Sequence, residues 1–307
     1  MLSVESEKTL KTEIEDTYAE AFEGFFTRLM ITAKDTKWLK KASYNSTALP
    51  SVVINRIEGG IERWLNVSET PDSRVGTIVQ FWGNIDANAI EKSLERFYRE
   101  VSYRIRQGIL VVPSTAVFNA YDAQDQIDTM NKIGHCGDGF ESEEEFKGRR
   151  IIKIPLMMGE FIIDRYIGYG RGVMGGNVWF MCKTEDVALQ VGGKAIKAVS
   201  RVEGVITPFG ICSAGSKPET QYREIGPTTN HFYCPTLRNR IANSKVPQGV
   251  GSIPEIVING TSLEVVKKAM KAAILSARGI DGVLKVSAGN FGGKLGQYKI
   301  VLRELMK

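Results

Sequence analysis

The sequence has few of the residues that metal sites and histidine-dependent hydrolases require. Among 307 residues there are only two histidines, His135 and His231, and four cysteines, none of them in a C-x-x-C pair. A zinc site needs a tighter cluster of ligands, and a Ser-His-Asp hydrolase needs a histidine with its own orienting partner. Both classes are disfavoured, and we predict reduced cysteines in structural positions.

Long apolar runs and concentrated charge are also missing. No apolar stretch approaches the roughly 18 residues that span a bilayer, and residues 1–14, MLSVESEKTLKTEI, lack the apolar centre of a secretion signal. We therefore expect a cytoplasmic protein without a membrane partner. The net charge of +5 is spread along the chain, whereas nucleic-acid binders concentrate their positive charge. No nucleic-acid partner is expected, while attraction of anionic substrates and a plain solvated surface both remain open.

An internal repeat organises the C-terminal half. A shift of 78 residues superimposes 177–206 on 255–284 without a gap, and each copy contains an apolar strand, a helix, and a Gly turn into a second strand. In the second copy Thr261 to Glu264 matches a capping box. Three- and four-residue spacing of apolar residues predicts the helices, which carry Val187, Val191, Ala195 and Val199 in the first copy and Leu263, Val266, Met270, Ala273, Ile274 and Ala277 in the second.

The N-terminal half shows the same order with weaker similarity. Strands are predicted at 25–33, 51–55, 76–82 and 108–113, and helices at 34–46 and 87–106. Both halves therefore follow the β-α-β-β-α-β order of a ferredoxin-like unit. The fold class predicted is α+β, with duplicated ferredoxin-like units forming two lobes. Their predicted boundaries are 1–122 and 161–307, joined by an irregular connection or oligomerisation arm at 123–160.

Two glycine-rich segments could approach a ligand. GYGRGVMGGN (168–177) precedes a strand and lacks the Walker lysine, so a tight turn is favoured over a nucleotide site. In VSAGNFGGKLGQYKIVL (286–302), glycines would let the backbone approach a ligand, and Asn290, Lys294 and Tyr298 could bind a polar or anionic group. A bulged hairpin explains the second segment equally well, so both interpretations remain open.

The segment AGNFGGKLGQY resembles the closing signature of the formylmethanofuran:tetrahydromethanopterin formyltransferases. Further stretches fit that family in order along nearly the whole chain, among them IEDTYAEAF (14–22), GGIER (59–63), GDGF (137–140), VEGVITPF (202–209), YCPTL (233–237) and EIVING (255–260). The resemblance implies transfer of a formyl group between formylmethanofuran and N5 of tetrahydromethanopterin through a tetrahedral intermediate. It also implies no bound cofactor, the two carriers acting as substrates, and a homotetramer.

Glu255 is the catalytic residue that the resemblance implies, because it opens EIVING where the family has its proposed acid. Its neighbours Ile253 and Ile256 are apolar, and burial of a carboxyl raises its pKa. A neutral carboxyl can donate a hydrogen bond to a developing oxyanion. Asn177 holds the equivalent position in the first repeat and cannot titrate. From the residues alone, a strand-edge glutamate facing water remains the alternative.

The substrate-binding candidates lie in the terminal loop, the SAGSK loop and the N-terminal motif. Lysines are expected to bind the glutamyl carboxylates that both carriers have. The candidates are Ser287, Asn290, Lys294, Tyr298, Ser213, Ser216, Lys217, Asp16 and Glu20.

The chain departs from the family pattern at TPFGICSAGSK, which is shorter than the usual loop, and at INRIE, which lacks a Cys-Pro pair. These departures leave two alternatives open. One is a divergent paralogue with another formyl acceptor, and the other is a non-catalytic subunit of a formyltransferase/hydrolase complex.

Overall fold

The computed structural model describes residues 12–48, 57–215, 217–225 and 228–307. Within these ranges fourteen strands connect into one sheet, and four α-helices pack against it. The strands are β1 (Glu13–Ile14), β2 (Tyr18–Ala33), β3 (Glu58–Leu65), β4 (Val75–Asn84), β5 (Ala116–Asn119), β6 (Gln126–Asp128), β7 (Ser142–Phe146), β8 (Arg149–Leu156), β9 (Gly159–Asp164), β10 (Tyr166–Cys182), β11 (Val205–Ile206), β12 (Glu255–Gly260), β13 (Val283–Ser287) and β14 (Tyr298–Val301). The helices are α1 (Thr36–Thr47), α2 (Ile90–Arg104), α3 (Glu185–Val199) and α4 (Leu263–Ser276). None of the described helices is long and apolar enough to cross a bilayer.

Two long strands, β2 and β10, are shared by the two lobes. They pair with each other antiparallel where Tyr169–Met174 lies beside Phe22–Thr27. β2 also pairs with β4 and β5 of the N-terminal lobe, and β10 also pairs with β12 and β13 of the C-terminal lobe. The lobes are therefore halves of one continuous sheet.

The C-terminal lobe has the predicted β-α-β-β-α-β order. Side chains alternate between the two faces of a strand, so Val178, Phe180, Ile256 and Val286 point together into the core beneath α3 and α4. The N-cap of α4 is Ser262, whose hydroxyl accepts from the Val265 N–H, one residue later than the capping box predicted. Both predicted helices of this lobe are confirmed.

In the N-terminal lobe one predicted strand is wrong and another lies outside the described residues. The segment 108–113 is not a strand, because the chain leaves α2 through a π-helical turn at Ile105–Leu110. Ile105 and Ile109 stay in the core, and Gly108 packs so closely on α1 that a Cβ there would lie 2.7 Å from Ser46 Cα. The lobe instead continues with β5, and the strand predicted at 51–55 falls in the undescribed stretch.

The connection predicted to be irregular at 123–160 contains β6, β7, β8 and the start of β9. β7, β8 and β9 form an antiparallel meander, which joins the main sheet where β9 runs parallel to β5. Ile152, Phe161 and Ile163 anchor it in the N-terminal core. The sequence carried no sign of β7, because Ser142–Glu145 are all exposed and no apolar alternation marks this strand. The oligomerisation role of this arm stays a prediction.

A buried polar network also ties the two lobes together. Arg28 on β2 donates two hydrogen bonds to Glu62 on β3, at 2.7 and 2.9 Å, and Glu62 also accepts from the Gly204 N–H of the C-terminal lobe at 2.8 Å. Glu203 adds a second carboxylate to Arg28, at 3.2 Å. Only 1% of the Glu62 side chain is exposed. Glu62 thus links the Arg28 guanidinium of β2 to the backbone of the C-terminal lobe.

Candidate functional site

Glu255, Trp179 and Ser287 stand in a row across three neighbouring strands of the C-terminal lobe. Trp179 on β10 is directly opposite Glu255 on β12 and Ser287 on β13. Because opposed residues of antiparallel strands point to the same side, all three side chains lie on the face of the sheet away from α3 and α4. Cys212, from the segment after β11, extends the row by pairing with Glu255 in an isolated bridge.

The carboxyl of Glu255 is buried and hydrogen-bonded. Only 7% of the residue is exposed, and the Trp179 indole N–H donates to Oε1 at 2.8 Å. Burial raises the pKa of Glu255, while hydrogen bonds from Trp179 and the Cys212 thiol partly oppose that rise. The alternative of a strand-edge glutamate facing water does not hold. A carboxyl of this kind keeps its proton to higher pH than an exposed one and can donate a hydrogen bond.

Neighbouring groups fix the position of this carboxyl. The backbone of Glu255 exchanges two hydrogen bonds with Cys212, at 2.8 and 2.9 Å. Trp179 packs edge-on against Tyr233, with ring centroids 4.8 Å apart and planes at 69°. Tyr233 belongs to the irregular segment between β11 and β12, which covers this face of the sheet through Val246 and Val250. The site therefore lies between the sheet and this covering segment, which runs from β11 to β12.

Two cavities meet at this cover. The first, of about 290 Å³, is lined by Glu255, Trp179 and Ser213. The second, of about 450 Å³, is lined by polar and charged residues that include Ser287, Asn290, Lys217, Lys245 and Lys294. Asn230 and Tyr233 line both cavities. An acidic group capable of proton transfer thus borders one cavity, and three ammonium groups together with the carboxylates of Glu15 and Glu219 border the other.

The lysines of the second cavity are held by different contacts. Lys217 Nζ donates to Thr228 Oγ1 at 2.9 Å, and Lys294 forms an ion pair with Glu219, which also lines this cavity. Lys245 Nζ lies 5.6 Å from the ring centroid of Phe232. Positive side chains arranged in this way suit a ligand that carries carboxylates.

Five of the candidates from the sequence line these cavities. Ser213 lines the first, and Ser287, Asn290, Lys217 and Lys294 line the second. Ser216 lies outside the described residues.

Three further candidates line neither cavity, and each has a structural reason. Tyr298 sits in β14 opposite Ala21 and packs against the C-terminal core. Asp16 is exposed and pairs with Arg303 at 3.4 Å. Glu20 is fully buried beneath the terminal loop, where its oxygens accept backbone hydrogen bonds. The structure thus places none of the three at these cavities, and their roles as substrate-binding residues stay predictions.

Sequence reasoning missed Trp179, Tyr233, Asn230 and Lys245 and assigned Cys212 only a structural position. For Trp179 a signal was available, since the repeat aligns its strand with the one that Glu255 opens. For Tyr233 the signal was its place at the start of the family-like stretch YCPTL. For Asn230 and Lys245 there was none, because the covering segment has no periodic pattern. All four cysteines are free thiols. No group of three or more His, Cys, Asp or Glu residues in the described ranges is placed to hold a metal ion.

Comparison with family models divides the chain close to the start of β9. Residues 8–156 match the model described as formylmethanofuran-tetrahydromethanopterin formyltransferase, and residues 159–305 match the one described as its proximal lobe.

Individual relatives match over nearly their full length. A formylmethanofuran–tetrahydromethanopterin formyltransferase-like protein of Archaeoglobus fulgidus is 53% identical, and the alignment covers 96% of each chain. The solved formyltransferase of Methanosarcina barkeri is 40% identical with a TM-score of 0.85, covering 96% of this chain and 98% of that one. The solved formyltransferase/hydrolase complex of Methylorubrum extorquens with methylofuran contains a chain 34% identical, with a TM-score of 0.85 and 96% of each chain covered.

Proposed function

Because this chain belongs to the formylmethanofuran–tetrahydromethanopterin formyltransferase family, we propose that it moves a formyl group between formylmethanofuran and N5 of tetrahydromethanopterin. The observation that carries the proposal is the buried, hydrogen-bonded carboxyl of Glu255 at the wall of a cavity. Both carriers act as substrates in this reaction, and neither is a resident cofactor.

The chemistry requires a carbonyl oxygen to become negative for a short time. The acceptor amine attacks the formyl carbon, which forms a new C–N bond and places charge on the oxygen. Protonated Glu255 donates a hydrogen bond to that oxygen and stabilises the charge. The C–N bond to the donor nitrogen then breaks, and the proton lost by the attacking amine ends on the departing amine. Glu255 is suited to carry this proton, since it is held in place and can exchange it.

The two adjoining cavities support a reaction with two substrates. We assign the reacting formyl carbon to the first cavity, because Glu255 lines it. The second cavity, with Lys217, Lys245 and Lys294, suits an anionic part of one carrier. Asn230 and Tyr233, which border both cavities, then lie between the reacting group and the anionic part.

Substitution of Lys294 with alanine is expected to raise KM several-fold more than it lowers kcat. The change removes one ammonium group from the second cavity and leaves Glu255 and the first cavity intact. Lys268→Ala, on the exposed side of α4, is the matched control and should change neither constant. Steady-state kinetics with each carrier varied in turn measures the effect, and an unchanged KM for both carriers would contradict a binding role.

Substitution of Trp179 with phenylalanine is expected to move the alkaline limb of the kcat profile to higher pH. The indole hydrogen bond stabilises the ionised carboxylate and so lowers the pKa of Glu255. Without that bond the acid keeps its proton further into the alkaline range. The exposed Trp64→Phe serves as control. A limb that stays in place, or one that moves to lower pH, would argue against the Trp179–Glu255 contact as a determinant of catalysis.

A direct assay tests the proposal. The purified protein is mixed with formylmethanofuran and tetrahydromethanopterin, and formation of the 5-formyl product is followed spectroscopically. Robust transfer would support the proposed reaction. No transfer by a folded protein, with substrates verified on another family member, would overturn it.

Two further expectations are tested separately. Light scattering on the purified protein tests the expected homotetramer, and fractionation of cells tests the expected cytoplasmic location.

A paralogue with another formyl acceptor is the second candidate. The observation that favours it is the higher identity, 53%, to a protein named formyltransferase-like than the 40% to the Methanosarcina barkeri formyltransferase. A panel of amine acceptors offered with formylmethanofuran distinguishes the two candidates. Co-purification of an amidohydrolase-like protein would instead support a role as a subunit of a formyltransferase/hydrolase complex.

A further inference from the structure

The carboxylate of Glu20 is buried without a cationic partner among the described residues. Ala19 and Ala21 on either side point into the C-terminal core, so strand alternation turns Glu20 to the opposite face of β2. The residue is 0% exposed. A buried charge requires compensation by hydrogen bonds or by an opposite charge, and here the compensation comes from backbone.

Four N–H groups of the loop between β13 and β14 converge on this carboxylate. Oε1 accepts from Phe291 at 2.6 Å and from Gly293 at 2.7 Å. Oε2 accepts from Leu295 at 2.9 Å and from Gly296 at 3.3 Å. Burial raises the pKa of Glu20, but these backbone hydrogen bonds outweigh burial and lower the pKa. Convergent backbone amides of this kind form an anion-binding nest, and the protein fills the nest with its own side chain.

Both ends of the loop are also tied to the sheet. At its start, the Gly289 N–H donates to Asn177 Oδ1 at 2.6 Å, and the Glu20 N–H donates to the Gly289 carbonyl at 3.2 Å. At its end, Gly296 lies so close to β2 that a Cβ there would be 2.3 Å from the Ala21 carbonyl oxygen. Glu20 therefore holds the centre of a loop whose ends are fixed by other contacts.

We propose that Glu20 is a positioning residue, which folds the loop 289–296 around its carboxylate and so presents Asn290 and Lys294 to the second cavity. Asn290 and Lys294, which line that cavity, lie on either side of Phe291 and Gly293, whose N–H groups bind Glu20. Fixing those N–H groups fixes the directions of Asn290 and Lys294 before a ligand arrives, which lowers the entropy lost on binding. The kinetic part of this inference rests on the proposed function, whereas the structural part does not.

The test is Glu20→Gln, which keeps the size of the side chain and removes its charge. The amide nitrogen of glutamine then faces two backbone N–H groups, so half of the nest loses its acceptor. Hydrogen exchange of peptides covering 288–297 should accelerate at least about tenfold, and KM for one carrier should rise about tenfold, as expected for loss of hydrogen bonds to a charged group. We expect kcat to stay within about threefold, because the Glu255 carboxyl is untouched.

Glu23→Gln is the matched control, since Glu23 lies on the same strand and pairs with Arg171 at 3.3 Å, away from the loop. It should change neither exchange nor KM. Gly296→Ala gives a second route to the same result, because it pushes the loop off β2 and leaves the carboxylate intact. This variant also keeps the test decisive should Glu20→Gln fail to fold, and it is expected to raise the same KM.

The outcomes separate the two hypotheses. Unchanged loop exchange in Glu20→Gln would overturn the positioning role, whatever the activity. The positioning role would also be overturned if the loop of Glu20→Gln exchanged faster but the enzyme remained active with parental KM values. Absence of transfer in the parent protein would overturn the proposed function. The hydrogen-exchange result would then decide by itself whether Glu20 positions the loop.

Discussion

Replacement of Glu255 with glutamine is expected to lower kcat by at least about a hundredfold, within the usual span for loss of general acid–base catalysis. Glutamine has the same shape and can still accept the Trp179 hydrogen bond, so the cavity is preserved. It cannot supply or take up a proton. Initial-rate assays across a range of pH measure the effect, and a variant with full activity would remove Glu255 from its proposed role.

The pH dependence distinguishes lost chemistry from lost structure. Burial raises the pKa of Glu255 above its ordinary value of 4.5, and the protonated carboxyl is the proposed active form. The parent kcat should therefore fall as pH rises through the raised pKa, and this limb should vanish in Glu255→Gln. Glu264→Gln, at an exposed position of α4, is the matched control and should keep the parent profile.

Stability gives an independent check, because Glu255→Gln should lose activity but gain stability relative to the parent as the pH rises. A carboxyl whose folded pKa is raised costs nothing below its unfolded pKa, and it reduces stability as pH rises from there through the folded pKa. Glutamine carries no charge to bury. The melting temperature of Glu255→Gln relative to the parent should therefore increase between pH 4 and pH 8. A variant that melts far below the parent at both pH values would mean that its low activity reports unfolding.

Replacement of Glu62 with glutamine is expected to lower the free energy of unfolding by about 3 kcal/mol, as when one partner of a buried ion pair is removed. Glu62 accepts hydrogen bonds from Arg28, from Gln80 at 2.6 Å and from the Gly204 N–H. The amide nitrogen of glutamine in this position would face hydrogen-bond donors. Arg28, with 15% of its side chain exposed, would keep only one carboxylate partner, the exposed Glu203. Denaturant unfolding measures the loss.

The exposed pair Arg63–Glu69 is the matched control, because its N–O distance of 2.7 Å equals that of Arg28–Glu62. Its side chains are 43% and 37% exposed, so water screens the charges. Glu69→Gln should shift the unfolding midpoint far less than Glu62→Gln. Equal shifts would contradict burial as the cause. Because Gly204 belongs to the C-terminal lobe, Glu62→Gln should also increase hydrogen exchange at 203–206.

The sequence by itself determined the order of elements in the C-terminal lobe, including the strand that Glu255 opens. The period of apolar residues defined α3 and α4, because a helix that packs on a sheet must bury one face. From the residues alone the burial of Glu255 stayed open, and the resemblance implied its catalytic role. The family followed from motifs such as AGNFGGKLGQY, while the glycines of that motif were consistent with a loop near a ligand and equally with a bulged hairpin.

Local pattern failed for two segments of the N-terminal half, for different reasons. The apolar segment 108–113 resembles a strand, but its first three residues belong to the π-helical turn Ile105–Leu110, and Gly108 packs closely on α1, about sixty residues earlier in the chain. Strand β7 carries no apolar alternation, because it pairs with the neighbouring β8 through its backbone and through the ion pairs Glu143–Arg150 and Glu144–Lys153. The apolar period therefore marks neither segment correctly.

The candidate site shows the same division. The sequence identified Glu255 and the terminal loop, but only the tertiary structure decided which residues act on them. Sheet register placed Trp179 against Glu255, 76 residues apart. Strand alternation on β2 turned Glu20 beneath a loop 271 residues away, although its motif had suggested a ligand contact. The physical reason is that periodicity specifies which face of an element is buried, while the pairing of elements specifies which side chains meet there.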